Sequence, residues 1–378
     1  MIVADYQGDK YDFLIVGAGP VGCVLAERLA NELDLKVLII EKRNHIAGNC
    51  YDEHHSSGVL VHKYGPHYFR TNNKELLTYL SRFTSWVDGN YYVTTKFNNQ
   101  LYPFPINRLT INKFFDKNFV EENEVENFLK NIQVPYRNPL NSEEFVLSRV
   151  GKELYEAFYL GYTLKQWSIH PKDLAVSVCG RIPVRYNDDC RYVDHQYQYT
   201  PKNGFTAMFS NMITHPNIDI LLNTEYVEGK FQSDSIIYTG AVDEYFDFVY
   251  GKLPWRSLNF DFVEFDKEFV QDNVQINYPN EHEYTRSVEI KHVTKQNINK
   301  TVISYEYPTS KGDPYYPIPT EANELMYKKY NKLVEAECLK NKVYFCGRLA
   351  EYKYYNTDEV IEKALSLFTK IKEEHFEN

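Results

Sequence analysis

A glycine-rich segment near the start of the chain constrains the fold more than any other feature of the sequence. Gly17, Gly19 and Gly22 form a G-x-G-x-x-G pattern. An apolar run at residues 13–16 precedes the pattern, and apolar residues at helical spacing follow it over residues 24–33. This order predicts a buried strand, a glycine turn and a helix, which is the first part of a dinucleotide-binding βαβ unit.

The three glycines have separate roles in this interpretation. The first permits the tight turn, the second lets the backbone approach a pyrophosphate, and the third lets the helix pack on the strand. The N-terminus of the helix then presents free N–H groups to the phosphates. A second apolar run at residues 36–40 ends at Glu41. Glu41 lies about 20 residues after the pattern, where a carboxylate can accept hydrogen bonds from ribose hydroxyls.

Length, charge and cysteine content exclude several classes of protein. The 378 residues are enough for two or three domains. A formal net charge of −10 argues against a nucleic-acid-binding protein, which usually has a basic face. No segment reaches the roughly 18 apolar residues of a membrane span. Six scattered cysteines without C-x-x-C spacing predict reduced thiols in a cytoplasmic protein, with no metal site.

The outer segments of the chain differ in pattern from the middle. Residues 107–172 have helical spacing, whereas residues 192–205 and 254–307 alternate short apolar runs with polar turns, which is typical of antiparallel strands. The sequence therefore predicts an α/β fold, in which a Rossmann-like domain of discontinuous segments carries an inserted helical domain and an inserted antiparallel β-sheet domain. The predicted domains are residues 1–86, 204–248 and 325–378 (dinucleotide-binding), residues 106–172 (helical), and residues 87–105, 173–203 and 249–324 (antiparallel-sheet substrate domain).

The residues that follow Glu41 indicate which dinucleotide is bound. Residues 41–49, EKRNHIAGN, resemble the E-[KR]-R-x-x-x-G-G-N run of glutathione-reductase-like flavoproteins, with Ala47 in place of the first glycine of the pair. Residues 236–240, IIYTG, resemble a second flavin-site strand of the same proteins. The resemblance implies FAD.

Further segments resemble motifs of the bacterial UDP-galactopyranose mutases, in the order in which that family has them. The matching segments are residues 64–71 (YGPHYFRT), 161–167 (GYTLKQW), 181–185 (RIPVR), 284–286 (YTR), 313–317 (DPYYP) and 347–355 (GRLAEYKYY). They are long and cover almost the whole chain.

The resemblance implies a reaction and partners. Enzymes of this family bind FAD and act only when it is reduced. Flavin N5 attacks the anomeric carbon of a nucleotide-diphosphate sugar, UDP leaves, and the ring closes again through the O4 hydroxyl, so that a pyranose becomes a furanose without net redox change. The resemblance also implies a reductant for the flavin, a homodimer, a mobile loop around Arg181, and a role in cell-surface polysaccharide synthesis.

Site residues follow from the resemblance, position by position. Guanidinium groups suit a departing diphosphate, because they clamp phosphate oxygens with paired hydrogen bonds. The implied catalytic residues are His67, Arg181, Arg286 and Arg348. The implied substrate-binding residues are Arg70, Tyr162, Trp167, Arg181, Tyr192, Asn277, Arg286, Tyr316 and Tyr354. The implied cofactor-binding residues are Gly17, Gly19, Gly22, Glu41, Lys42, Asn49, His67, Gly347, Arg348, Asn356 and Thr357.

Two departures from the family pattern leave the sugar open. Arg70 stands where the family has the second histidine of GPHIFHT, and Asn356 stands where the family has Asp after YKYY. UDP-galactose is the first expectation, and a 6-deoxy sugar such as dTDP-fucopyranose or UDP-N-acetylgalactosamine is the alternative. An amine-oxidase-like flavin oxidoreductase and a catalytically silent nucleotide-sugar binder are the alternatives of other classes, since a fold alone does not fix a function.

Overall fold

A parallel sheet forms the frame of the molecule. The structure, a computed structural model, describes residues 6–376, so residues 1–5 and 377–378 of the predicted dinucleotide-binding domain lie outside the described residues. All neighbouring strands of this sheet are parallel. In spatial order the five strands are Ile218–Leu221, Val37–Ile40, Lys10–Val16, Gln232–Tyr238 and Val343–Phe345. Strands from three distant parts of the chain therefore build one sheet, which confirms the predicted α/β class.

Apolar side chains cover both faces of the parallel sheet. Ile15 and Ile39 belong to the larger core, which also holds the helices Pro20–Leu33, Gly204–Met212 and Thr357–Phe376. Their neighbours on the strands, among them Leu14, Leu38 and Ile40, pack on the opposite face. A parallel strand that is buried on both faces needs a continuous apolar run, which explains the unbroken apolar segments in the sequence.

The glycine turn has the backbone that the sequence requires. Gly17 has a φ of 107°, which favours glycine, and a Cβ there would lie 2.2 Å from Thr239 Oγ1. A Cβ on Gly22 would lie 2.0 Å from the carbonyl oxygen of Gly17. The helix Pro20–Leu33 can therefore approach its preceding strand only because residue 22 has no side chain.

A second, seven-stranded sheet lies in the segment predicted to be antiparallel. In spatial order its strands are Tyr316–Pro317, Trp255–Phe265, Thr301–Thr309, Arg286–Val288, Gln275–Asn277, Val93–Phe97 and Gln100–Phe104. Its strand pairs are antiparallel with one exception, since Gln275–Asn277 runs parallel to residues 93–95. Strands that are far apart in sequence and not joined by a hairpin can pair in either direction. We call this the mixed sheet.

The prediction of strands over residues 192–205 was wrong at both ends. The strand is Tyr197–Pro201, and Phe205 lies in the helix Gly204–Met212. The Asp52 carboxylate caps that helix, because it accepts hydrogen bonds from the backbone N–H groups of Phe205 (2.6 Å) and Thr206 (3.0 Å). Tyr197–Pro201 pairs with Phe69–Thr71 and Trp86–Asp88 in a three-stranded sheet, and Asp52–His54 pairs with Leu60–His62.

Helices cover one face of the mixed sheet, as the spacing over residues 107–172 predicts. They are Arg108–Phe115, Glu122–Ile132, Ser142–Leu154 and Gly161–Trp167, with wider helical turns at Tyr155–Leu160. Asn107 begins the first of them, since its side chain accepts a hydrogen bond from Thr110 N–H at 3.0 Å. Their apolar side chains share a core with Val93 and Val288 of the mixed sheet.

Residues 6–376 contain seven further helical segments. They are Gly48–Cys50, Lys74–Leu80, Pro171–Asp173, Ser177–Gly180, Val242–Tyr245, Lys291–Thr294 and Glu321–Asn341. Over residues 6–376, no helix has both the length and the apolar character needed to cross a membrane. The three-stranded sheet spans the predicted boundary at residue 86, and the domain boundaries stay a prediction.

Candidate functional site

A cavity of about 980 Å³ opens at the carboxyl ends of the parallel strands. Ligands of open parallel sheets bind at this edge, where the loops that follow the strands meet. Most of the predicted cofactor residues line the cavity. They are Gly17, Gly19, Glu41, Lys42, Asn49, His67, Gly347, Arg348 and Thr357.

Glu41 joins the glycine turn to the segment that follows the second strand. One carboxylate oxygen accepts a hydrogen bond from Ala18 N–H and the other accepts one from Arg43 N–H, both at 2.9 Å. A carboxylate has about four lone-pair positions, so Glu41 can still accept hydrogen bonds from a ribose. Near Gly19 there is open space, because the nearest atom to a Cβ there would be Gly48 Cα at 3.9 Å. These features fit a dinucleotide whose pyrophosphate passes over Gly19.

Two predicted cofactor residues do not line this cavity. Gly22 lies below the turn and permits close packing of the helix. Asn356 instead accepts a hydrogen bond through Oδ1 from Arg70 Nη2 at 2.6 Å, and its neighbour Thr357 lines the cavity. The structure therefore places Asn356 beside a predicted substrate residue.

His67 contributes a neutral imidazole to the cavity. Burial lowers its pKa to about 3, and the adjacent His62 and Arg348 act in the same direction. Its Nδ1 lies 2.9 Å from the carbonyl oxygen of Gly65, which can only accept, so Nδ1 carries the proton. Nε2 therefore has a lone pair. His62 Nδ1 accepts the backbone N–H of His67 at 2.9 Å and holds this turn in place.

A second group of predicted residues meets around the Tyr354 ring. The guanidinium carbon of Arg348 lies 4.6 Å from the ring centroid and that of Arg181 lies 4.8 Å from it. Burial acts to raise the pKa of Tyr354, but Arg181, Arg348, Arg70 and Arg286 outweigh it and hold the pKa below its ordinary value of 10.0. Four cationic side chains thus act on one phenol, and we call this group the arginine–tyrosine cluster.

Arg286 is held at the cluster by a buried carboxylate. Its Nε donates to Glu306 Oε2 at 2.6 Å, and Glu306 is completely buried on the neighbouring strand. Burial raises the pKa of Glu306, whereas the Arg286 charge lowers it. The Nη2 of Arg286 lies 3.4 Å from Tyr316 OH. The terminal nitrogens thus remain available to a ligand, while Nε is occupied by Glu306.

The remaining aromatic residues surround this arginine. Trp167 lies 6.1 Å from the Tyr316 ring, and Tyr316 stacks at 5.8 Å on Tyr354. Burial raises the pKa of Tyr162 to about 12, while nearby Arg286 acts against it. Tyr192 lies close enough to Tyr162 to affect the same pKa.

Asn277 belongs to a buried chain of hydrogen bonds under the cluster. Its Oδ1 accepts from Gln275 Nε2 at 2.7 Å, and Gln275 Oε1 accepts from Tyr91 OH at 2.8 Å. The Tyr91 ring then stacks on Tyr68 at 4.4 Å. This chain connects the mixed sheet to the segment that carries Arg70.

Arg70 donates hydrogen bonds from its two terminal nitrogens to neutral acceptors. Nη1 bonds Tyr68 OH and Nη2 bonds Asn356 Oδ1, each at 2.6 Å. No carboxylate lies within 4.0 Å of its guanidinium among residues 6–376. Arg70 and Asn356, the two departures from the family pattern, are therefore in direct contact.

Sequence reasoning missed several residues of this site. Glu306 lies in an ordinary strand pattern, and no feature of that pattern separates it from other strand carboxylates. Tyr68, Tyr91 and Gln275 are equally inconspicuous in the sequence. The residue pairing of the mixed sheet would have identified Glu306, because it lies directly opposite Arg286.

The site can hold a dinucleotide and, beside it, a diphosphate. Several guanidinium groups and tyrosine hydroxyls converge where a phosphorylated ligand would need paired hydrogen bonds. The neutral imidazole of His67 and the charged guanidinium of Arg348 line the cofactor cavity. Arg348 also contacts the Tyr354 ring and so belongs to the cluster as well. An amine oxidase has no evident need for such a set of arginines.

Comparisons with known proteins agree with this geometry. Residues 157–354, more than half of the chain, match the family model described as UDP-galactopyranose mutase. Residues 15–83 match the model described as NAD(P)-binding Rossmann-like domain.

Individual relatives are similar over almost their full length. The chain is 36% identical to a Klebsiella pneumoniae protein named "Probable UDP-galactopyranose mutase", covering 94% of this chain and 93% of the relative. It is 34% identical to the dTDP-fucopyranose mutase of Escherichia coli, covering 93% and 96%. A crystal structure of reduced UDP-galactopyranose mutase has the same fold, with a TM-score of 0.76 at 14% identity over 96% of this chain and 93% of that one.

Proposed function

This chain belongs to the UDP-galactopyranose mutase family and is a nucleotide-sugar pyranose–furanose mutase, and we propose that it interconverts UDP-galactopyranose and UDP-galactofuranose with FAD as its cofactor. The observation that carries the proposal is the arginine–tyrosine cluster next to the dinucleotide cavity. The cluster offers positive charge to a diphosphate, and the cavity offers a glycine turn and a ribose-binding carboxylate to the cofactor.

The cofactor's chemistry and the protein's contribution are separate in this proposal. Bound and reduced, FAD supplies a nucleophile for the anomeric carbon and is recovered unchanged. The protein residues bind, orient and neutralise. We propose that the cofactor is held by Gly17, Gly19, Glu41, Lys42, Asn49, Gly347 and Thr357. Gly22 and Asn356 support this site without lining the cavity.

The diphosphate is the group on which the protein acts most directly. Negative charge develops on UDP as its bond to the sugar breaks, and Arg181 and Arg286 offset that charge. Tyr192, Tyr316 and Tyr354 add hydroxyl hydrogen bonds. Holding UDP beside the sugar after cleavage lets it return to the same carbon when the ring has closed through O4, so the reaction needs no net oxidation or reduction.

Other side chains serve the base and the sugar in this proposal. Tyr162 stacks on the uracil, while Trp167 and Asn277 line the sugar pocket. His67 offers the lone pair of Nε2 to a donor in the cavity, and Arg348 carries positive charge between the cavity and the cluster. These assignments follow the family motifs and the contacts described above.

The sugar is the finer part of the proposal. One relative is named for UDP-galactopyranose and another for dTDP-fucopyranose, at 36% and 34% identity, so identity does not separate them. Arg70 and Asn356, which contact each other, are the residues on which the choice depends. Replacing Arg70 by His should therefore change the ranking of UDP-galactose, dTDP-fucose and UDP-N-acetylgalactosamine, and an unchanged ranking would remove Arg70 from sugar recognition.

The first experiment measures conversion of two furanose donors. Purified protein is incubated with UDP-galactofuranose or dTDP-fucofuranose, with and without dithionite, and the pyranose forms are separated by chromatography. Conversion of UDP-galactofuranose in the reduced sample alone supports the proposal. Conversion of only dTDP-fucofuranose names the other sugar. If a yellow, fully reducible protein converts neither donor, the UDP-galactose assignment fails.

Variants test the cluster separately from the cofactor. Arg181→Ala and Arg286→Ala should each nearly abolish turnover while the protein stays yellow, because neither side chain lines the cofactor cavity. Wild-type turnover in either variant would contradict the diphosphate assignment.

We further propose that the protein is a cytoplasmic homodimer with three domains, as the sequence predicts. In this proposal it depends on a cellular reductant and supplies furanose donors for cell-surface polysaccharide. Sedimentation of the purified protein tests the dimer.

A further inference from the structure

An eight-residue loop connects two strands that both carry predicted substrate residues. Residues 278–285 run from the strand that ends at Asn277 to the strand that begins at Arg286. The base of the loop is closed by a hydrogen bond from Tyr278 N–H to the carbonyl oxygen of Thr285 at 2.8 Å. A shift of this loop would therefore move both predicted substrate residues at its ends, Asn277 and Arg286.

Lys165 inserts its ammonium group into this loop. Nζ donates to the carbonyl oxygens of Glu281 at 2.9 Å, Tyr284 at 3.0 Å and His282 at 3.3 Å, and it also bonds that of Tyr278. An ammonium group has three N–H bonds and no acceptor. Four converging carbonyl oxygens thus share its donors, and one side chain fixes the whole loop.

Two further contacts join the loop to the helix that carries Lys165. Gly161, the first residue of the helix, packs so closely that a Cβ would lie 2.5 Å from both Asn280 Oδ1 and the carbonyl oxygen of Pro279. Asn280 Nδ2 donates to the carbonyl oxygen of Ala157, in the helical turns that lead directly into this helix, at 2.9 Å. The helix and the loop are therefore docked at both the helix start and Lys165.

The same helix carries the aromatic residues of the proposed nucleotide site. Tyr162 lies three residues before Lys165, and Trp167 two residues after it, with its ring 6.1 Å from that of Tyr316. Arg286, across the loop, acts on the pKa of Tyr162. A ligand that contacts Tyr162 and Arg286 together needs the helix and the sheet at a fixed separation.

We propose that Lys165 is a positioning residue for nucleotide binding, which acts by fixing the helix of Tyr162 against the loop that leads to Arg286. The inference rests on the proposed function, because it assumes that these two residues bind one nucleotide diphosphate. Lys165 need not touch the nucleotide. Its effect comes from prearranging two half-sites, so that one ligand can engage both without reordering the protein.

The protein contains a matched control for this idea. Lys291 is completely buried, and its Nζ likewise bonds backbone carbonyl oxygens, those of Glu268 (2.8 Å), Lys300 (3.1 Å) and Ile298. It follows a strand of the same sheet, and among residues 6–376 its Nζ makes no hydrogen bond to the arginine–tyrosine cluster. If a lysine that bonds several carbonyl oxygens only stabilises the fold, replacing Lys165 or Lys291 should lower the melting temperature and leave nucleotide binding unchanged in both cases.

The test compares Lys165→Met, Lys165→Arg and Lys291→Met with the wild type. Each protein is loaded with FAD, its melting temperature is recorded, and UDP is titrated to obtain Kd. In Lys165→Met, Kd should rise about tenfold, the size expected for losing about one hydrogen-bonded contact to a charged group. Lys165→Arg, which keeps a charged donor, should recover most of the affinity. Lys291→Met should melt earlier yet bind UDP like the wild type.

Steady-state kinetics give a second readout. Because Lys165 acts on binding, KM for the nucleotide sugar should rise more than kcat falls. The inference is overturned if Lys165→Met melts earlier but retains wild-type Kd and KM, or if Lys291→Met loses affinity equally. If Lys165→Met does not fold, Asn280→Ala removes the lighter link between loop and helix and should still weaken UDP binding, and unchanged Kd there would also overturn it.

The failure of this inference can be told from the failure of the proposed function. Wild-type protein is first titrated with UDP and with dTDP. If it binds neither, the diphosphate assignment of the cluster fails before any variant is made. If it binds one of them and the Lys165 variants bind that nucleotide as tightly, only the positioning role fails.

Discussion

At the scale of single residues, the four arginines of the cluster differ in how their charge is held. Arg286 pairs with a buried carboxylate, whereas Arg348 donates to the backbone carbonyl oxygens of Tyr315 and Tyr355. Arg70 donates to neutral side chains, and Arg181 lies exposed over an aromatic ring. Because three of them lack a carboxylate partner within 4.0 Å in the described chain, the site keeps net positive charge for an anionic ligand.

Glu306 should matter to substrate binding through Arg286. Glu306→Ala removes a charge-assisted hydrogen bond, so KM for the nucleotide sugar should rise about tenfold as the guanidinium loses its anchor. Glu306→Gln keeps an oxygen acceptor for Arg286, so its KM should rise less. Steady-state kinetics on both variants check this order. Glu264→Ala breaks an exposed ion pair with Lys300 (2.6 Å) and serves as the control, and equal KM in all proteins would contradict the prediction.

The Arg70–Asn356 contact gives a second prediction at this scale. Asn356→Asp places a carboxylate 2.6 Å from Arg70 Nη2, so an ion pair, worth about 0.5 kcal/mol, replaces a hydrogen bond in which only the donor is charged. We expect a higher melting temperature and a changed kcat/KM ratio between UDP-galactose and dTDP-fucose, because Arg70 becomes less available to the sugar. Both quantities are measured on the reduced enzyme.

A matched control separates recognition from added charge. Asn141 also precedes a helix, and its side chain accepts a hydrogen bond from Glu144 N–H at 2.9 Å. Asn141→Asp therefore keeps the helix cap and adds the same charge at a residue that is not a hydrogen-bond partner of Arg70. If both variants leave the substrate ratio as it is in the wild type, Asn356 has no part in choosing the sugar.

At the scale of elements, the glycine turn separates binding from packing. A methyl group on Gly19 meets nothing closer than 3.9 Å, whereas one on Gly22 would lie 2.0 Å from Gly17 O. We expect Gly19→Ala to fold with a melting temperature near that of the wild-type apoprotein but to lose its yellow colour, since the methyl group occupies the path of the pyrophosphate. Gly22→Ala should lose stability even as apoprotein, because overpacking displaces the helix.

Melting curves and flavin absorbance of the two variants check this contrast. Absorbance reports the cofactor, and the melting curve of the apoprotein reports packing alone. A yellow Gly19→Ala protein with wild-type FAD content would show that the pyrophosphate passes elsewhere. A Gly22→Ala apoprotein as stable as the wild-type apoprotein would show that the helix can move away from the strand without loss of stability.

The elements that could be predicted from sequence are those whose signal is local. The turn at Gly17–Gly22, the helix after it and the strand Val343–Phe345 follow from residue types within a few positions. The parallel pairing of Gln275–Asn277 with residues 93–95 depends on strands about 180 positions apart, for which no local pattern exists. The helix at Gly204 begins because Asp52, also distant, caps it.

The site shows the same division. Motif resemblance indicated Arg286 and Tyr354, and the structure brings both into one cluster. It did not indicate Glu306, because a strand carboxylate becomes informative only when its partner on the neighbouring strand is known. The role of Lys165 also depends on a loop more than a hundred residues away.

At the scale of the whole molecule, the cofactor cavity and the cluster come from different layers of the fold. The cavity lies at the edge of the parallel sheet, while Arg286 and Glu306 belong to the mixed sheet. An ion pair between Arg43 and Asp313, at 2.8 Å, bridges the segment after Glu41 and the loop before Tyr316. Arg348 contributes to both the cavity and the cluster, so the proposed cofactor and substrate sites adjoin where the layers meet.

The stability of the whole molecule should depend on pH through His62 and His67. Burial lowers the pKa of His62 to about 4 and that of His67 to about 3, from an ordinary value of 6.5. Below pH 6.5 the histidines of the unfolded chain bind protons that the folded protein does not bind. Their contribution to stability is therefore lost as pH falls from 6.5 to about 4 for His62 and to about 3 for His67. Asp358, whose pKa is raised to about 6 by burial, acts in the opposite direction between 3.8 and 6.

A single substitution isolates one of these contributions. His62→Gln keeps an acceptor for the His67 N–H but cannot be protonated, whereas Asp358 titrates in both proteins. The free energy of unfolding of the wild type relative to the variant should therefore fall by up to about 3 kcal/mol between pH 6.5 and 4, the equivalent of a shift of about two and a half pKa units. Urea unfolding across this range measures the difference. A constant difference between the two proteins would mean that His62 takes up its proton in the folded state as readily as in the unfolded chain, and that the packing around it does not exclude the charged imidazole.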